Sequence, residues 1–245
     1  VMVMSLSIIP LALTKVAQPQ IDEPSALNLL SLYKASPSGV MGSFIAGLFI
    51  GPAYTLIPLY LALQFNQNAL VALLMSILIM GAMMFQLPFG RLSDNIERRY
   101  VIALAFSILM LASLLLLFLK ASLWLVAISL FVLGGAAFVI YPLSMSHVCD
   151  VLEQKDMVAA AQGLVLANSI GMVLGPLIVA GLMHCLSITI GLFSYFAVIS
   201  AIMVPFFIWR RHVGEAIIPS EQQDFIAIPK TTPVAIEIDP RIDEG

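Results

Sequence analysis

Residues Gly90 to Arg99, GRLSDNIERR, carry three of the eleven Lys and Arg residues of the chain and separate two long apolar stretches. This placement predicts a tight turn between two membrane-spanning helices. Gly90 has no Cβ, so the chain can leave the first helix in close contact with a neighbour. Asp94 and the arginines Arg91, Arg98 and Arg99 supply charges of both signs at the membrane surface. The stretch therefore predicts a fold of membrane helices joined by short charged turns.

The composition places the chain among integral membrane proteins. Apolar residues make up 61% of the 245 residues, charged residues make up 10%, and the mean hydropathy is +1.04. Soluble domains carry about 25% charged residues. Six apolar runs of about 20 residues are long enough to cross the hydrocarbon core as helices, and no period-2 pattern typical of a membrane barrel occurs. We therefore predict an all-α integral membrane fold with six transmembrane helices in contact with lipid.

Three further segments flank the predicted bundle of residues 38–209. Residues 1–13 are apolar but too short to span and lack the features of a signal peptide, which predicts the end of a preceding transmembrane helix. Residues 14–37 mix charges with an amphipathic patch and are predicted to form a cytoplasmic linker along the membrane surface. Residues 210–245, rich in proline and acidic residues, predict a disordered acidic cytoplasmic tail. The predicted spans are Ser38 to Leu63, Asn68 to Phe89, Tyr100 to Leu119, Leu123 to Ser146, Val158 to Cys185 and Ile188 to Trp209.

The basic residues predict which side of the membrane each turn faces. If the turn from Gly90 to Arg99 is cytoplasmic, eight Lys and Arg residues near the spans are cytoplasmic and only Lys120 is external. This asymmetry follows the positive-inside rule. The net charge of −3 comes largely from acidic residues in the tail and indicates no nucleic-acid partner. We predict a multi-pass protein of the cell inner membrane with a cytoplasmic C-terminal tail.

The charged turn also resembles a known family motif. Gly90, Asp94, Arg98 and Arg99 match the G-x-x-x-D-[RK]-x-G-[RK]-[RK] loop of the major facilitator superfamily (MFS) of secondary transporters. The resemblance implies a conformational-switch loop, in which Asp94 caps a helix N-terminus in the opposite half of the transporter and pairs with Arg98. Two positions depart from the pattern, namely Asn95 in place of a basic residue and Glu97 in place of glycine. The alternative is a short basic loop that only follows the positive-inside rule.

Two other segments resemble the bacterial YcaD-like subgroup of this family. Residues 141–177, YPLSMSHVCDVLEQKDMVAAAQGLVLANSIGMVLGPL, resemble its tenth and eleventh helices. Residues 8–15, IIPLALTK, resemble the end of its sixth helix and the central loop. The resemblance implies that the six spans are helices seven to twelve, the C-terminal six-helix half of a general-substrate-transporter fold. It also implies an N-terminal six-helix half as partner, a small-molecule substrate and a coupling ion such as H⁺.

Glycine and proline recur together in two of the predicted helices. They are Gly47, Gly51 and Pro52 in the first span, and Gly171, Gly175 and Pro176 in the fifth. Glycines four residues apart share a helix face and allow backbones to approach, while proline frees a carbonyl and allows a bend. These residues are therefore candidates for helix bending, with static helix packing as the alternative. The Gly-x-x-x-Gly-Pro pattern resembles the antiporter motif of the superfamily, which implies export.

No charged residue lies deep inside a predicted span. Intramembrane charges usually mark proton relays and ion-coupling sites. The nearest candidates for coupling are His147 and Asp150, which share a helix face near the end of the fourth span. A solvated helix end is the alternative. A metal site is not predicted, because two or three ligands of mixed type without a fourth are common by chance.

Polar and aromatic residues within the spans are candidates for lining a substrate cavity. By resemblance to the family, the first and fourth spans line the central cavity, which favours Tyr54 and Tyr141. Gln162 and Asn168 in the fifth span are further candidates. Phe138 and Tyr141 share a helix face with a methionine, and such a lining suits apolar or aromatic substrates. Hydrogen bonding and packing between helices is the alternative.

Together these features predict a secondary active transporter that moves a small molecule by alternating access, with export as the expected direction. No phosphate-binding loop, metalloenzyme motif or nucleophile elbow occurs in the sequence, so neither enzymatic activity nor a cofactor is expected. The alternative is a membrane scaffold or sensor that uses the same fold and docks a partner through its acidic tail. Deleting the tail separates the two, because a transporter keeps its flux and a tail-dependent scaffold loses its partner.

Overall fold

The computed structural model of the chain describes residues 29–118, 122–152 and 156–213. The side chains of residues 211–213 are not described. The predicted end of a preceding helix lies outside the described residues, as do most of the predicted linker and the tail beyond residue 213. Lys120, the external basic residue in the predicted topology, also lies outside them.

Seven α-helices make up the described ranges, which contain no strand. They are α1 (Leu29–Ala35), α2 (Pro37–Phe65), α3 (Asn68–Asn95), α4 (Arg98–Phe118), α5 (Leu123–Val151), α6 (Met157–Cys185) and α7 (Ile188–Val213). Helices α2 to α7 are each long and apolar enough to cross a membrane. The prediction of an all-α fold with six spans is therefore confirmed.

Local sequence determines where α2 begins and ends. Pro37 occupies the first turn, where a missing backbone N–H costs nothing and the fixed φ suits a helix. At the other end Asn66 adopts a left-handed conformation with φ 49° and ψ 30°, and its N–H donates to the carbonyl oxygen of Ala62 at 3.0 Å. Asparagine tolerates this conformation better than most residues. Because α3 begins at Asn68, α2 and α3 are antiparallel neighbours in the chain.

The charged stretch from Gly90 to Arg99 is more helical than predicted. Helix α3 continues through its first six residues to Asn95, and only Ile96 and Glu97 separate α3 from α4. The predicted span ended at Phe89, where the apolar run stops. The two limits differ because falling hydropathy marks the exit from the membrane, whereas the backbone hydrogen bonds of a helix continue into the interfacial region.

The bundle is built from three extensive helix pairs. Helix α2 packs most extensively on α6, α3 on α5, and α4 on α7, while α2 and α5 also meet. Suppose that α2, α3 and α4 correspond to α5, α6 and α7 in that order. The α2–α6 pair then corresponds to the α5–α3 pair, and the α4–α7 pair corresponds to itself. The three most extensive pairs therefore follow an internal pseudo-symmetry of three helices plus three, as inverted repeats produce, whereas the extensive α4–α5 contact has no equally extensive counterpart between α2 and α7.

Glycines bring α3 and α5 together. A Cβ atom at Gly81 would touch the backbone of Phe131, and a Cβ atom at Gly134 would touch the backbone of Leu78. Membrane helices associate largely through such close packing, because lipid tails are as apolar as the side chains they replace. Glycine at these two positions is therefore a requirement of the α3–α5 pair.

Aromatic rings join the α4–α7 pair to α2 at the centre of the main core. The ring centroid of Phe49 lies 6.0 Å from that of Phe106 and 5.4 Å from that of Phe196. Phe106 in turn stacks on Phe207 at 5.5 Å. All four rings are fully buried. Aromatic pairs at such distances contribute about 0.5–1.5 kcal/mol each beyond the area they bury.

Helices α3 and α6 are the least buried of the six long helices, and α2 is the most buried. The outer face of α3 includes Met83 and Leu87, which are 68% and 70% exposed. The outer face of α6 includes Val173 and Leu177, which are 65% and 66% exposed. Apolar surfaces of this kind are covered by lipid or by further helices.

Candidate functional site

The predicted switch residues lie in a charge cluster at one end of the bundle, which we call the charged end. The side chain of Arg98, the first residue of α4, is fully buried. Its Nη2 lies 3.9 Å from Oδ1 of Asp94, and its Nε lies 2.6 Å from Oδ2 of Asp150. The structure thus brings the α3–α4 turn and the end of α5 together, although the sequence predicted two separate sites.

The two carboxylate contacts of Arg98 differ in burial, and so in the energetic cost of losing them. The side chain of Asp150 is 1% exposed, whereas that of Asp94 is 30% exposed. The Nε–H of Arg98 is poorly aligned for a hydrogen bond to Asp150, so charge attraction holds this short contact. Removing one member of a buried ion pair costs about 3–5 kcal/mol, because the other charge is left uncompensated. Asp150 is therefore a buried counter-ion of Arg98 and does not lie on a solvated helix end.

His147 belongs to the same cluster. It lies one turn before Asp150 on α5 and is 7% exposed. Arg98, Arg99 and Arg210 are near enough to act on its imidazole electrostatically. Both candidate coupling residues are therefore buried at the charged end, among arginines from α4 and α7.

Arg99 fastens the last turn of α7 to the α3–α4 turn. Its Nη1 donates a hydrogen bond of 2.6 Å to the carbonyl oxygen of Arg210, and its Nε lies 2.7 Å from Oε1 of Glu97. The last carbonyls of a helix have no partner within the helix and accept from cationic side chains. The roles of Glu97 and Arg210 were not predicted from the sequence. The one available signal was Glu97 itself, which replaces a glycine of the family pattern and here gives Arg99 a carboxylate partner.

The glycines of α2 and α6 meet in one interface. A Cβ atom at Gly47 would touch the backbone of Asn168, and a Cβ atom at Gly171 would touch the backbone of Phe44. Both glycines are buried. Each helix therefore presents its glycine to the backbone of the other. This close contact is what static helix packing, the alternative to helix bending, requires of these glycines.

The two prolines continue this interface further along the same helices. A Cβ atom at Gly51 would lie 2.9 Å from Cδ of Pro176, and a Cβ atom at Gly175 would lie 2.8 Å from Cδ of Pro52. Each proline ring thus packs over the glycine of the opposite helix. Both prolines lie inside continuous helices. The two Gly-Pro motifs are reciprocal parts of a single contact, which neither motif reveals when it is considered alone.

Asn168, a predicted cavity residue, lies buried between α2 and α6. Its Nδ2 donates to the carbonyl oxygen of Ser43 at 2.9 Å. Ser43 in turn donates from Oγ to the carbonyl oxygen of Leu164 at 2.7 Å. Polar side chains that bond across membrane helices satisfy groups for which lipid has no partner. This pair of hydrogen bonds ties α2 to α6 beside the glycines.

The other predicted cavity residues have different surroundings. Tyr54 is 47% exposed, and its ring packs edge-on against Phe138 with centroids 5.2 Å apart. Tyr141, one turn further along α5, is buried at 4% exposure. Gln162 is exposed on α6. Of the four, Tyr54 therefore offers an accessible aromatic surface, and the buried ring of Phe138 packs against it.

Comparison with known proteins places the fold in a family. The family model of the Major Facilitator Superfamily matches residues 39–237. Three curated relatives, each named "Uncharacterized MFS-type transporter YcaD", come from Escherichia coli O7:K1 (strain IAI39 / ExPEC), O9:H4 (strain HS) and strain K12 / DH10B. Each is 34% identical over 179 residues, which cover 72% of this chain and 46% of the relative. No solved structure matches the chain significantly.

The chain therefore spans about half the length of the curated relatives it matches. The family match extends over almost all of α2 to α7, whose six apolar helices make this a multi-pass membrane protein. The resemblance found in the sequence to this family and to its YcaD-like subgroup is confirmed. The chain belongs to the major facilitator superfamily, a family of membrane transporters.

Proposed function

We propose that this chain forms the C-terminal six-helix half of a secondary transporter of the cell inner membrane. In this proposal it moves a small molecule by alternating access together with an N-terminal six-helix half. Transporters of this superfamily have two six-helix halves related by an axis along the membrane normal. The match to 46% of the length of its relatives supports a second unit of similar size in the complete protein.

The buried ion pair of Arg98 and Asp150 is the observation that carries the proposal. Burying two charges at a membrane protein's end has a desolvation cost, so such a pair is weak evidence for stability and stronger evidence for a functional role. Asp94 is the more exposed carboxylate of the cluster and is accessible to a helix of the other half. In our proposal Asp94 faces the N-terminus of that helix while the charged end is closed, and the contact is lost when this end opens.

The outer faces of α3 and α6 provide the surface for the N-terminal half. They are the most exposed faces among the six long helices and are apolar. The internal pseudo-symmetry relates α3 to α6, so a partner of the same architecture can cover both with its own equivalent helices. This arrangement would leave α2 and α5, which carry Tyr54 and Phe138, beside the pathway between the halves.

The accessible ring of Tyr54 favours an apolar or aromatic small molecule as substrate. The exposed ring of Tyr54, held edge-on against the buried ring of Phe138, offers an aromatic surface with one hydroxyl group, and ligand sites commonly combine these features. The resemblance of the Gly-Pro pattern to the antiporter motif supports export. His147 and Asp150, buried at the charged end, are the proposed residues for coupling to H⁺.

The Asp94→Asn variant of the complete transporter tests this proposal in liposomes. The change keeps the shape of the side chain and removes its charge, so the charged end should open more often. Loss of a helix-dipole contact of up to about 1 kcal/mol predicts an increase of about fivefold in labelling from that end. The measured quantity is the rate at which an impermeant thiol reagent labels a single cysteine at Tyr54.

Arg91→Gln is the matched control, because Arg91 is exposed in the last turns of α3 near Asp94. It should label at the parent rate. If Asp94→Asn also labels at the parent rate, Asp94 does not control access and the switch assigned to this turn is incorrect.

A further inference from the structure

A second apolar cluster, separate from the main core, lies at the charged end. Its buried members come from α1, α2, α5 and α6, and they are Leu32, Val40, Met145, Val148, Met157, Ala160, Ala161, Leu164 and Ala167. Leu152, the residue after α5, packs partly buried against it. We call this group the second cluster. It is the place where α1 joins the bundle.

Leu32 anchors α1 in the second cluster. Its side chain is 1% exposed, whereas Leu30 and Tyr33 on the same short helix are 66% and 42% exposed. A Cβ atom at Gly163 would lie 2.7 Å from Cδ2 of Leu32, so the leucine packs directly over a glycine of α6. The N–H of Ser36 donates to the carbonyl oxygen of Leu32 at 2.8 Å, which holds α1 close to the start of α2.

The second cluster lies across the seam between two glycine-packed helix pairs. One pair is α2 with α6, and the other is α3 with α5. Although α5 and α6 are consecutive in the chain, they pack little against each other. Met145 and Val148 of α5 share the second cluster with Met157 and Ala160 of α6. A relative movement of the two pairs at this end must therefore disturb the second cluster.

The last turn of α5 links the second cluster to the charge cluster. Asp150 pairs with Arg98 of α4, while Val148, two residues earlier, belongs to the second cluster and packs closely on Gly39 of α2. Successive residues of one helical turn point in different directions, so the same turn serves both contacts. The turn of α5 that carries the counter-ion of Arg98 therefore also contributes to the second cluster.

We propose that α1 is a strap at the charged end: it packs on α2 and α6, and through the second cluster it fixes this helix pair to the end of α5. When Leu32 is seated over Gly163, the second cluster is complete and the ends of α2, α5 and α6 move as one body. When Leu32 leaves, the seam loosens and the ends of α5 and α6 separate more easily. Only the predicted effect of the strap on flux rests on the proposed transport function. Its effect on the packing of the helices concerns this chain alone.

Hydrogen exchange on the purified chain in lipid nanodiscs tests the structural action. Leu32→Ala should raise the exchange rates of amides in residues 145–152 and 157–164 about tenfold or more, because truncating a buried leucine opens a cavity in its packing. Leu30→Ala, on the exposed side of the same helix, should leave these rates unchanged. Leu32→Met, which conserves volume, should exchange like the parent. Parent-like exchange in Leu32→Ala would overturn the strap.

A reversible cross-link tests the consequence for transport. Leu32→Cys with Gly163→Cys, in a complete transporter that carries Cys149→Ala and Cys185→Ala, should form a disulfide under mild oxidation. The cross-link should lower the flux of an aromatic fluorescent dye at least about tenfold, and dithiothreitol should restore it. A cross-linked protein with unchanged flux would overturn the strap as a transport device. Absence of dye flux in the uncross-linked parent would count against the proposed substrate class, and the exchange rates would then decide the strap alone.

Discussion

Arg98 is a fully buried cation whose side chain lies between two carboxylates of unequal exposure. The Asp150→Asn change leaves it with Asp94 at 3.9 Å as the remaining carboxylate of this pair. We expect the free energy of unfolding to fall by about 3 kcal/mol, because a buried cation loses its nearest buried counter-ion. Thermal unfolding of the purified chain in detergent, followed by tryptophan fluorescence, measures the loss.

Asp94→Asn is the control at this scale, because Asp94 is 30% exposed and lies farther from the guanidinium. Its loss of stability should stay below about 1 kcal/mol. Similar losses for the two variants would mean that Asp150 is not the principal counter-ion of Arg98.

Replacing Asn168 tests whether it is a packing residue or a substrate-binding residue. Its Nδ2 donates to the carbonyl oxygen of Ser43, so Asn168→Ala should reduce stability by about 0.6–1.7 kcal/mol, the range measured for hydrogen bonds between membrane helices. Ser169→Ala is the control, since Ser169 is exposed and donates to the carbonyl oxygen of Val165 in its own helix. A variant with parent stability and reduced flux would instead assign Asn168 to the pathway.

The helices themselves were largely predictable from the sequence. Span limits set by hydropathy agree closely at the start of α3 and the end of α6, Asn68 and Cys185. They stop too early for α3, α5 and α7, which stay helical to Asn95, Val151 and Val213. The pairing of helices was not predictable. Glycines at positions 47 and 171 mark faces suited to close contact but do not identify each other as partners.

Only part of the charge cluster was predictable, because helix pairing cannot be read from the local sequence. Asp94, Arg98 and Arg99 were identified through a motif that is local in the sequence. Asp150 and Arg210 enter the cluster only through the tertiary packing of α4 on α5 and α7. Periodicity alone cannot show which charged side chain at a helix end is buried by a neighbouring helix.

The α2–α6 contact predicts opposite effects for two glycines of one helix. Gly171→Ala would place a methyl group against the backbone of Phe44, so the helices must separate and the free energy of unfolding should fall by about 1–3 kcal/mol. Gly181→Ala should be neutral or stabilise α6 by up to about 1 kcal/mol, because no atom of another described element comes within 4 Å of a Cβ added there. Thermal unfolding of both variants checks this, and equal effects would contradict the close approach.

Across the whole molecule, the proposed topology places the charged end in the cytoplasm. Asn95 and Gln67 are exposed residues at opposite ends of α3, next to its two turns. Single cysteines at these positions, in a background without Cys149 and Cys185, should react with an impermeant thiol reagent from opposite sides of the membrane. Labelling of Asn95→Cys in intact cells would reverse every side assignment.

In our proposal, transport requires both six-helix halves. The chain alone leaves the outer faces of α3 and α6 uncovered, and a pathway between halves needs walls from both. The most direct measurement is flux of an aromatic fluorescent dye in liposomes that contain the 245-residue chain alone or with the proposed N-terminal six-helix half supplied as a second polypeptide. We predict flux only when both are present. Flux in liposomes that contain the purified chain alone would contradict the claim and indicate a homodimer of half-transporters.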